Sequence, residues 1–153
     1  MPSVLFVCLG NICRSPLAEG LFRHAVETAG LAACFEIASA GTGDWHIGDP
    51  PDPRSVDIAR KYGLDIGGQR ARQVQTEDFH RFDLICAMDR TNLTTLQDRA
   101  PVSATAELRL FLRDPLQDVP DPYFGGPDGF EHVYRMVAAG AFKLLDGLHP
   151  FRT

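Results

Sequence analysis

A cysteine and an arginine near the start of the chain stand at a spacing that could bind and attack a phosphate ester. Cys8 and Arg14 enclose the segment LGNIC (9–13), and Ser15 follows directly. A short loop that leads into a helix can direct successive backbone amides at one oxyanion, and a guanidinium can hold two phosphoryl oxygens at once. The same positive field stabilises a cysteine thiolate, the nucleophilic form, to which Ser15 could donate a hydrogen bond. These residue types predict a phosphoryl-transfer site.

Phosphoryl transfer from an ester also needs a proton donor for the leaving oxygen. Asp114, Asp118 and Asp121 lie in one proline-containing loop, and both Asp114 and Asp121 precede a proline. An aspartic acid can supply the proton if the dianionic substrate or a desolvated cleft keeps its carboxyl group protonated. The loop sequence by itself leaves the choice among the three open.

The sequence around the cysteine predicts that its loop joins a buried strand to a helix. Residues 3–8 are largely apolar and β-branched without alternation, which is typical of a strand in a parallel sheet. Pro16 suits the first turn of a helix, and the apolar stripe that follows ends near Gly30. Gly10 and Asn11 are residue types that tolerate the left-handed backbone that such a loop requires.

Strands and helices alternate along the rest of the chain. The remaining predicted strands are 35–38, 83–88 and 107–112, and the predicted helices are 53–62, 92–99 and a long one over 127–148. The alternation predicts an α/β fold over 1–153: a single domain with a doubly wound, four-stranded parallel sheet and helices on both faces. Ligands of such sheets bind beyond the carboxyl ends of the strands, where Cys8, Ser39 and Asp89 are expected to lie.

Composition excludes several other classes of protein. A chain of 153 residues with 44% hydrophobic residues can bury one core, and its net charge of −5 argues against nucleic acid as a partner. No stretch reads as a signal peptide or a membrane span. The four cysteines are irregularly spaced, which favours a reducing cytoplasm. Cys8 and Cys13 could begin a zinc site, but no second pair follows, so we expect no metal.

Several segments resemble the low-molecular-weight protein tyrosine phosphatase family. They are VCLGNICRSP, SAGTGDWH, ARQV, AMD, DPYFGG and GFEHVY. The resemblance spans nearly the whole chain. It implies a four-stranded parallel sheet, no cofactor, and a two-step displacement in which the thiolate takes the phosphoryl group and water then releases inorganic phosphate.

The resemblance also assigns roles to individual residues. It makes Cys8 the nucleophile and Arg14 the phosphate clamp, and it selects Asp121, in Asp-Pro-Tyr, as the general acid. Asn11 resembles the residue that holds the loop in shape, and Ser39 resembles a supporting donor from the end of the second strand. The remaining members of the phosphate-binding loop and its support are Leu9, Gly10, Ile12, Cys13 and Ser15.

Two aromatic residues and a second cysteine extend this prediction. Trp45 and Tyr123 are predicted to form the walls of a slot for a phenyl ring, although they could instead be hydrophobic residues that pin loops. Cys13 is predicted to be a redox partner that traps oxidised Cys8, the alternative being a small core residue. The expected substrates are phosphotyrosine-containing proteins, and the chain is expected to be a monomer.

Three positions depart from the family pattern. Gln69 replaces a histidine two residues before the alanine of ARQV, Phe124 replaces a second tyrosine after Asp-Pro, and Gly67-Gly68 lengthen the loop before Ala71. None belongs to the predicted catalytic set.

Three other functions are compatible with parts of the sequence. Arsenate reduction needs further cysteines downstream, and Cys86 has Leu93 where a second thiol would be wanted. An arginine phosphatase usually has threonine in place of Ile12, and an apolar residue suits a phenyl ring better. A phosphotyrosine-binding module without turnover would be marked by loss of Cys8, Arg14 or Asp121, and all three are present.

Overall fold

The predicted fold class is confirmed by a computed structural model, which describes residues 2–113, 115–123 and 125–148. One parallel sheet has the strand order β2-β1-β3-β4. Its strands are β1 (Ser3–Cys8), β2 (Glu36–Gly41), β3 (Leu84–Ala87) and β4 (Glu107–Leu110). The helices are α1 (Arg14–Thr28), α2 (Pro53–Lys61), α3 (Asp78–Arg81), α4 (Arg90–Arg99) and α5 (Pro127–Gly147), with a 3-10 turn at Ala32–Cys34.

Some of the sequence predictions concern residues outside these described ranges. Asp114 and Phe124 lie outside the described residues, and the extent of the domain over 1–153 stays a prediction. Within the described ranges, no helix is long and apolar enough to cross a membrane.

Strand β1 lies in the middle of the molecule, and helices cover it on both faces. Phe6 points to the side of α1 and α5, where its ring meets Phe22 and Phe111 edge-on, with centroids 5.6 Å apart in each pair. Leu5 and Val7 point to the other side, into the cluster beneath α3 and α4. Full burial of each such side chain contributes about 1.5–3 kcal/mol, so the strand that ends at Cys8 is held from both faces.

Strand β2 is longer than predicted and includes Ser39. It pairs with β1 along its whole length, from Ser3 opposite Glu36 to Cys8 opposite Gly41. The prediction that the strand ends at residue 38, with Ser39 beyond it, is therefore wrong. Small residues have low strand propensity, but here cross-strand pairing and burial override it.

The other boundary differences are local. Strand β4 is shorter than predicted, and α4 begins at Arg90 because Asp89 caps it, accepting a hydrogen bond of 2.7 Å from the Asn92 N–H. Helix α3 was not predicted from the sequence, since its single turn is too short to show a helical pattern. Asp52 caps α2 in the same way, accepting from the Arg54 N–H at 2.8 Å.

Candidate active site

The loop after β1 turns at Asn11. Its φ of 57° makes it the one non-glycine position with a left-handed backbone in the part of the chain that the structure describes. Gly10 has no positive φ, so of the two residues that could tolerate a left-handed backbone only Asn11 adopts it. A Cβ at Gly10 would lie 3.1 Å from Cδ2 of His46, a tight contact that would displace the imidazole slightly.

Glycine is required where the neighbouring strand ends. A Cβ on Gly41 would lie 2.8 Å from the Leu9 carbonyl oxygen and 3.1 Å from the Asn11 nitrogen. The Thr42 N–H donates to the Cys8 carbonyl at 2.9 Å, and the Gly43 N–H donates to the Leu9 carbonyl at 2.8 Å. The end of β2 therefore supports the loop from beneath.

Hydrogen bonds around Asn11 determine which way each proton points. The Arg72 N–H donates to Asn11 Oδ1 at 3.0 Å, which fixes the orientation of the amide. Asn11 Nδ2 then donates to Ser15 Oγ at 2.8 Å and to Ser39 Oγ at 3.0 Å. Ser39 Oγ donates a hydrogen bond to Glu19 Oε1 at 2.8 Å. Along these side chains, Ser39 is three hydrogen bonds away from the Cys8 sulfur, through Asn11 and Ser15.

The Cys8 sulfur lies between two donors. Ser15 Oγ is 3.0 Å from Sγ, and the Asn11 N–H donates to Sγ at 3.3 Å. Ser15 Oγ accepts from the Asn11 amide, and its own proton can go to the sulfur at 3.0 Å or to the Ala40 carbonyl at 3.5 Å, of which the sulfur is the nearer acceptor. Cys8 is 2% exposed, at the bottom of the cavity described below. This arrangement stabilises a sulfur anion.

Arg14 is the first residue of α1, and its side chain is only 2% exposed. Its Nη1 donates to Asp89 Oδ2 at 2.6 Å and to the Val119 carbonyl at 2.9 Å, and Nη2 lies 3.6 Å from Asp121 Oδ2. Burial alone would lower the pKa of the guanidinium, but the negative charges of Cys8, Asp89 and Asp121 raise it above its ordinary value. The cation is therefore permanent, and Asp89 fixes its orientation.

A cavity of about 240 Å³ opens above the sulfur. Three segments line it: the stretch from the end of β1 to the start of α1, the loop after β2 and the loop before α5. The lining residues are Cys8, Leu9, Gly10, Ile12, Cys13, Arg14, Trp45, His46, Asp121 and Tyr123.

The structure places all three predicted catalytic residues and both predicted aromatic walls at this cavity, while Asn11, Ser15 and Ser39 lie behind it. Trp45 is 68% exposed and Tyr123 is 38% exposed, so both stand at the mouth. The Trp45 ring lies against Gly43, where any Cβ would overlap it.

Asp121 lines the cavity and Asp118 does not. The Tyr123 N–H donates to Asp121 Oδ1 at 3.1 Å, which leaves Oδ2 towards Arg14. Asp118 instead accepts from the backbone N–H and the guanidinium of Arg90, at 3.0 and 3.1 Å. Of the two candidate acids that can be compared, only Asp121 lines the cavity.

Cys13 is buried beside the cavity and remains a thiol. It packs with Ile12, Ala71 and Phe130. Burial, followed by the charges of Asp52, Cys8 and Asp121, raises the pKa of the Cys13 thiol to about 12. All four cysteines are unpaired. Among the described residues, no cluster of three or more His, Cys, Asp or Glu side chains could hold a metal ion.

Sequence reasoning missed two residues of this site. Asp89 was expected only to lie at the carboxyl end of a strand, and the structure shows that it also holds Arg14. His46 was given no role, although it lines the cavity, and its Nδ1 lies 3.2 Å from Asp49 Oδ2. Its position next to Trp45 was the only clue in the sequence.

Known proteins resemble this chain along most of its length. The family model described as low molecular weight phosphotyrosine protein phosphatase matches residues 3–150. A protein of that name from Schizosaccharomyces pombe is 48% identical over 136 residues, 86% of either chain. The crystal structure of YfkJ from Bacillus subtilis, 43% identical, has a TM-score of 0.89 and covers 100% of this chain and 98% of that one. The crystal structure of DARP, a Drosophila arginine phosphatase, is 32% identical with a TM-score of 0.87, covering 95% of this chain and 96% of that one.

Proposed function

The chain belongs to the low molecular weight phosphotyrosine protein phosphatase family, and we propose that it hydrolyses phosphotyrosine in proteins through a phosphorylated Cys8. One observation carries the proposal. Asp121 lies far along the sequence from Cys8 and Arg14, yet all three line the same cavity. A nucleophile, an anion clamp and a proton donor are what the cleavage of an aryl phosphate needs.

In the first step the Cys8 thiolate attacks phosphorus. A sulfur–phosphorus bond forms as the bond from phosphorus to the tyrosyl oxygen breaks, and Asp121 gives its proton to that oxygen. Arg14 and backbone amides of the loop, of which the Asn11 N–H already points at the sulfur, are proposed to stabilise the negative charge on the three equatorial oxygens. The Asp89 carboxylate, 2.6 Å from Arg14 Nη1, keeps the guanidinium in place for this purpose.

In the second step water displaces the sulfur. Asp121, now ionised, accepts a proton from the water as its oxygen attacks phosphorus. The sulfur–phosphorus bond breaks, and Cys8 leaves as a thiolate that accepts a hydrogen bond from Ser15, as the 3.0 Å separation allows. The product is inorganic phosphate, and no cofactor is consumed.

The depth of the cavity favours an aryl ester. The sulfur lies at the bottom, whereas Trp45 and Tyr123 stand at the mouth. A phenyl ring can reach from the phosphate to these two side chains, but the short side chain of phosphoserine cannot use them. We therefore propose that Trp45 and Tyr123 form the walls of the substrate slot.

Phosphoarginine is the alternative substrate that the similarity to the Drosophila arginine phosphatase raises. The apolar side chain of Ile12 lines the cavity next to the aromatic walls and offers no hydrogen bond to a guanidinium. We therefore favour phosphotyrosine.

We further propose that the enzyme works as a monomer in the cytoplasm. Support for a monomer is that every proposed catalytic group comes from one chain. Support for a reducing compartment is that the mechanism needs Cys8 as an unmodified thiolate. Cys13, close to Cys8 in the same loop, is proposed as its redox partner.

A substrate panel tests the proposed function. We expect kcat/KM for phosphotyrosine to exceed that for phosphoserine and phosphoarginine, with no reduction of arsenate. Replacement of Trp45 by alanine should narrow the preference for phosphotyrosine over phosphoserine. Comparable kcat/KM for phosphotyrosine and phosphoserine would contradict the slot, and a preference for phosphoarginine would replace the proposed substrate.

A further inference from the structure

We propose that Arg54, in the first turn of α2, is a positioning residue for the general acid. It holds Tyr123 in place and, through Tyr123, holds Asp121 over the cavity. The inference rests on the proposed function, because it presupposes that Asp121 is the proton donor.

The first supporting observation is that Asp52 fixes the Arg54 guanidinium in a two-point contact. Arg54 Nε donates to Asp52 Oδ1 at 3.0 Å, and Nη2 donates to Oδ2 at 2.9 Å. The Asp52 side chain is 7% exposed and cannot swing away freely. Hydrogen bonds from Arg54 lower the pKa of Asp52, and the pair raises the pKa of Arg54, so both stay charged. A planar fork held in this way has a defined orientation.

The second observation is that the fixed guanidinium lies over two aromatic rings. Its central carbon is 4.6 Å from the centroid of Phe130 and 5.4 Å from that of Tyr123. Phe130 is 2% exposed and belongs to the first turns of α5, whereas Tyr123 is 38% exposed and belongs to the loop before α5. Arg54 therefore connects a half-exposed ring of that loop to rigid parts of the molecule.

The third observation is that Tyr123 contacts the proposed acid directly. Its backbone N–H donates to Asp121 Oδ1 at 3.1 Å. A shift of the Tyr123 backbone would carry this donor with it and turn the carboxyl group. Because proton transfer needs a donor within hydrogen-bond reach of the leaving oxygen, a small shift would weaken catalysis.

The base of α2 is also attached to the phosphate-binding loop. The Asp52 N–H donates to the Ile12 carbonyl at 2.8 Å, and Ser55 Oγ donates to the Cys13 carbonyl at 3.4 Å. Asp52 and Arg54 thus link the loop that holds the nucleophile to the loop that holds the acid. This link keeps the two groups at a fixed separation.

A leaving-group series separates positioning from other effects. We would measure kcat/KM, which reports the transfer of the phosphoryl group to Cys8, for aryl phosphates ranging from phenyl phosphate to 2,4-dinitrophenyl phosphate. Arg54→Gln should lose roughly 10-fold on phenyl phosphate and less than about 3-fold on the dinitrophenyl ester, a part of the ~10²–10⁴ that a general acid supplies. Arg54→Lys, which keeps the charge but not the planar fork, should fall between the wild type and Arg54→Gln.

Three controls accompany the series. Arg60→Gln removes an exposed arginine from the same helix and should leave the leaving-group dependence unchanged. Asp121→Asn alone tests the acid itself. The double variant Arg54→Gln/Asp121→Asn should have nearly the same kcat/KM as Asp121→Asn alone, because the two changes remove the same function.

The outcomes are distinct. An equal loss on every ester, accompanied by a lower Tm, would show that Arg54 only stabilises the fold. A rise in KM confined to phosphopeptides with acidic flanking residues would show that Arg54 contacts the substrate instead. If Asp121→Asn leaves the leaving-group dependence unchanged, the proposed acid itself is wrong, which is a separate failure from that of the Arg54 inference.

Discussion

At the scale of single residues, Asp121 is the side chain whose replacement should separate substrates most clearly. Asp121→Asn removes the transferable proton and should lower kcat/KM for phosphotyrosine by about 10²–10⁴. p-Nitrophenyl phosphate has a leaving group that scarcely needs a proton, so kcat/KM for this substrate should fall much less. Steady-state kinetics on both substrates measure the difference, and equal losses would move the acid to another residue.

Cys13 should determine whether oxidation of the enzyme is reversible. Peroxide converts a thiolate to a sulfenic acid, which a nearby thiol can trap as a disulfide with loss of water. We expect dithiothreitol to restore activity to the peroxide-treated wild type but much less to Cys13→Ser, whose Cys8 should proceed to sulfinic or sulfonic acid. Bound phosphate should slow the inactivation, because the two sulfurs can meet only if the loop leaves its phosphate-binding shape.

Recovered activity and intact mass, measured in both forms, provide the readout. Cys34→Ser is the matched control, because Cys34 is an exposed cysteine outside the cavity. Equal recovery in wild type and Cys13→Ser would reduce Cys13 to a packing residue.

The sequence is most informative about residues whose chemistry is carried by their own type and spacing. Cys8, Arg14 and Ser15 could be predicted because their neighbours in the chain are also their neighbours in space. The choice of Asp121 as the general acid required the family resemblance, because three aspartates in the same loop are equivalent by residue type. Arg54 and His46 were not found, because their contacts with Tyr123 and Gly10 cross between distant segments.

At the scale of elements, a cysteine buried in the sheet should make the protein less stable as the pH rises above 9. Cys86 lies in β3 with no exposed surface, and burial raises the pKa of its thiol from about 9 to about 12. In the unfolded chain the thiol ionises above pH 9, so the stability that this group contributes is complete below pH 9 and is lost as pH rises towards 12.

Cys86→Ala should remove part of this dependence. The variant will be less stable at pH 7 because of the cavity it leaves, but its free energy of unfolding should fall less steeply between pH 9 and 11. One such group changes the slope by at most ~1.4 kcal/mol per pH unit. Urea unfolding at several pH values, with Cys34→Ala as an exposed control, measures the slopes; parallel curves for wild type and Cys86→Ala would contradict the prediction.

Most elements could be predicted from apolar patterns, and their ends could not. Strand β1 and helix α5 are long and clearly patterned, so their positions were predicted closely. Strand β2 runs on through small residues because β1 lies alongside them, which is a tertiary effect. Helix α4 starts earlier than its apolar pattern because Asp89 caps it.

At the scale of the whole molecule, the strand order explains why the site lies where it does. Strands β1 and β3 are adjacent at the centre of the sheet, so Cys8 and Asp89 leave neighbouring carboxyl ends on the same edge. Arg14, which follows Cys8 closely in the chain, then meets Asp89. The parallel class of sheet could be predicted from the alternation of strands and helices. The position of the Asp121 loop over the cavity could not, because that loop is long and has no repeating pattern.

The direct test of a covalent route is whether a phosphoryl group appears on Cys8 during turnover. Wild-type enzyme would be mixed with p-nitrophenyl phosphate, stopped with denaturant within the first turnovers and examined by peptide mass analysis. We predict one phosphoryl group per chain on the peptide that contains Cys8, and none in Cys8→Ser, which should still bind inorganic phosphate without turnover. Turnover by Cys8→Ser would contradict the mechanism. So would a burst of p-nitrophenol from the wild type with no phosphoryl group on Cys8.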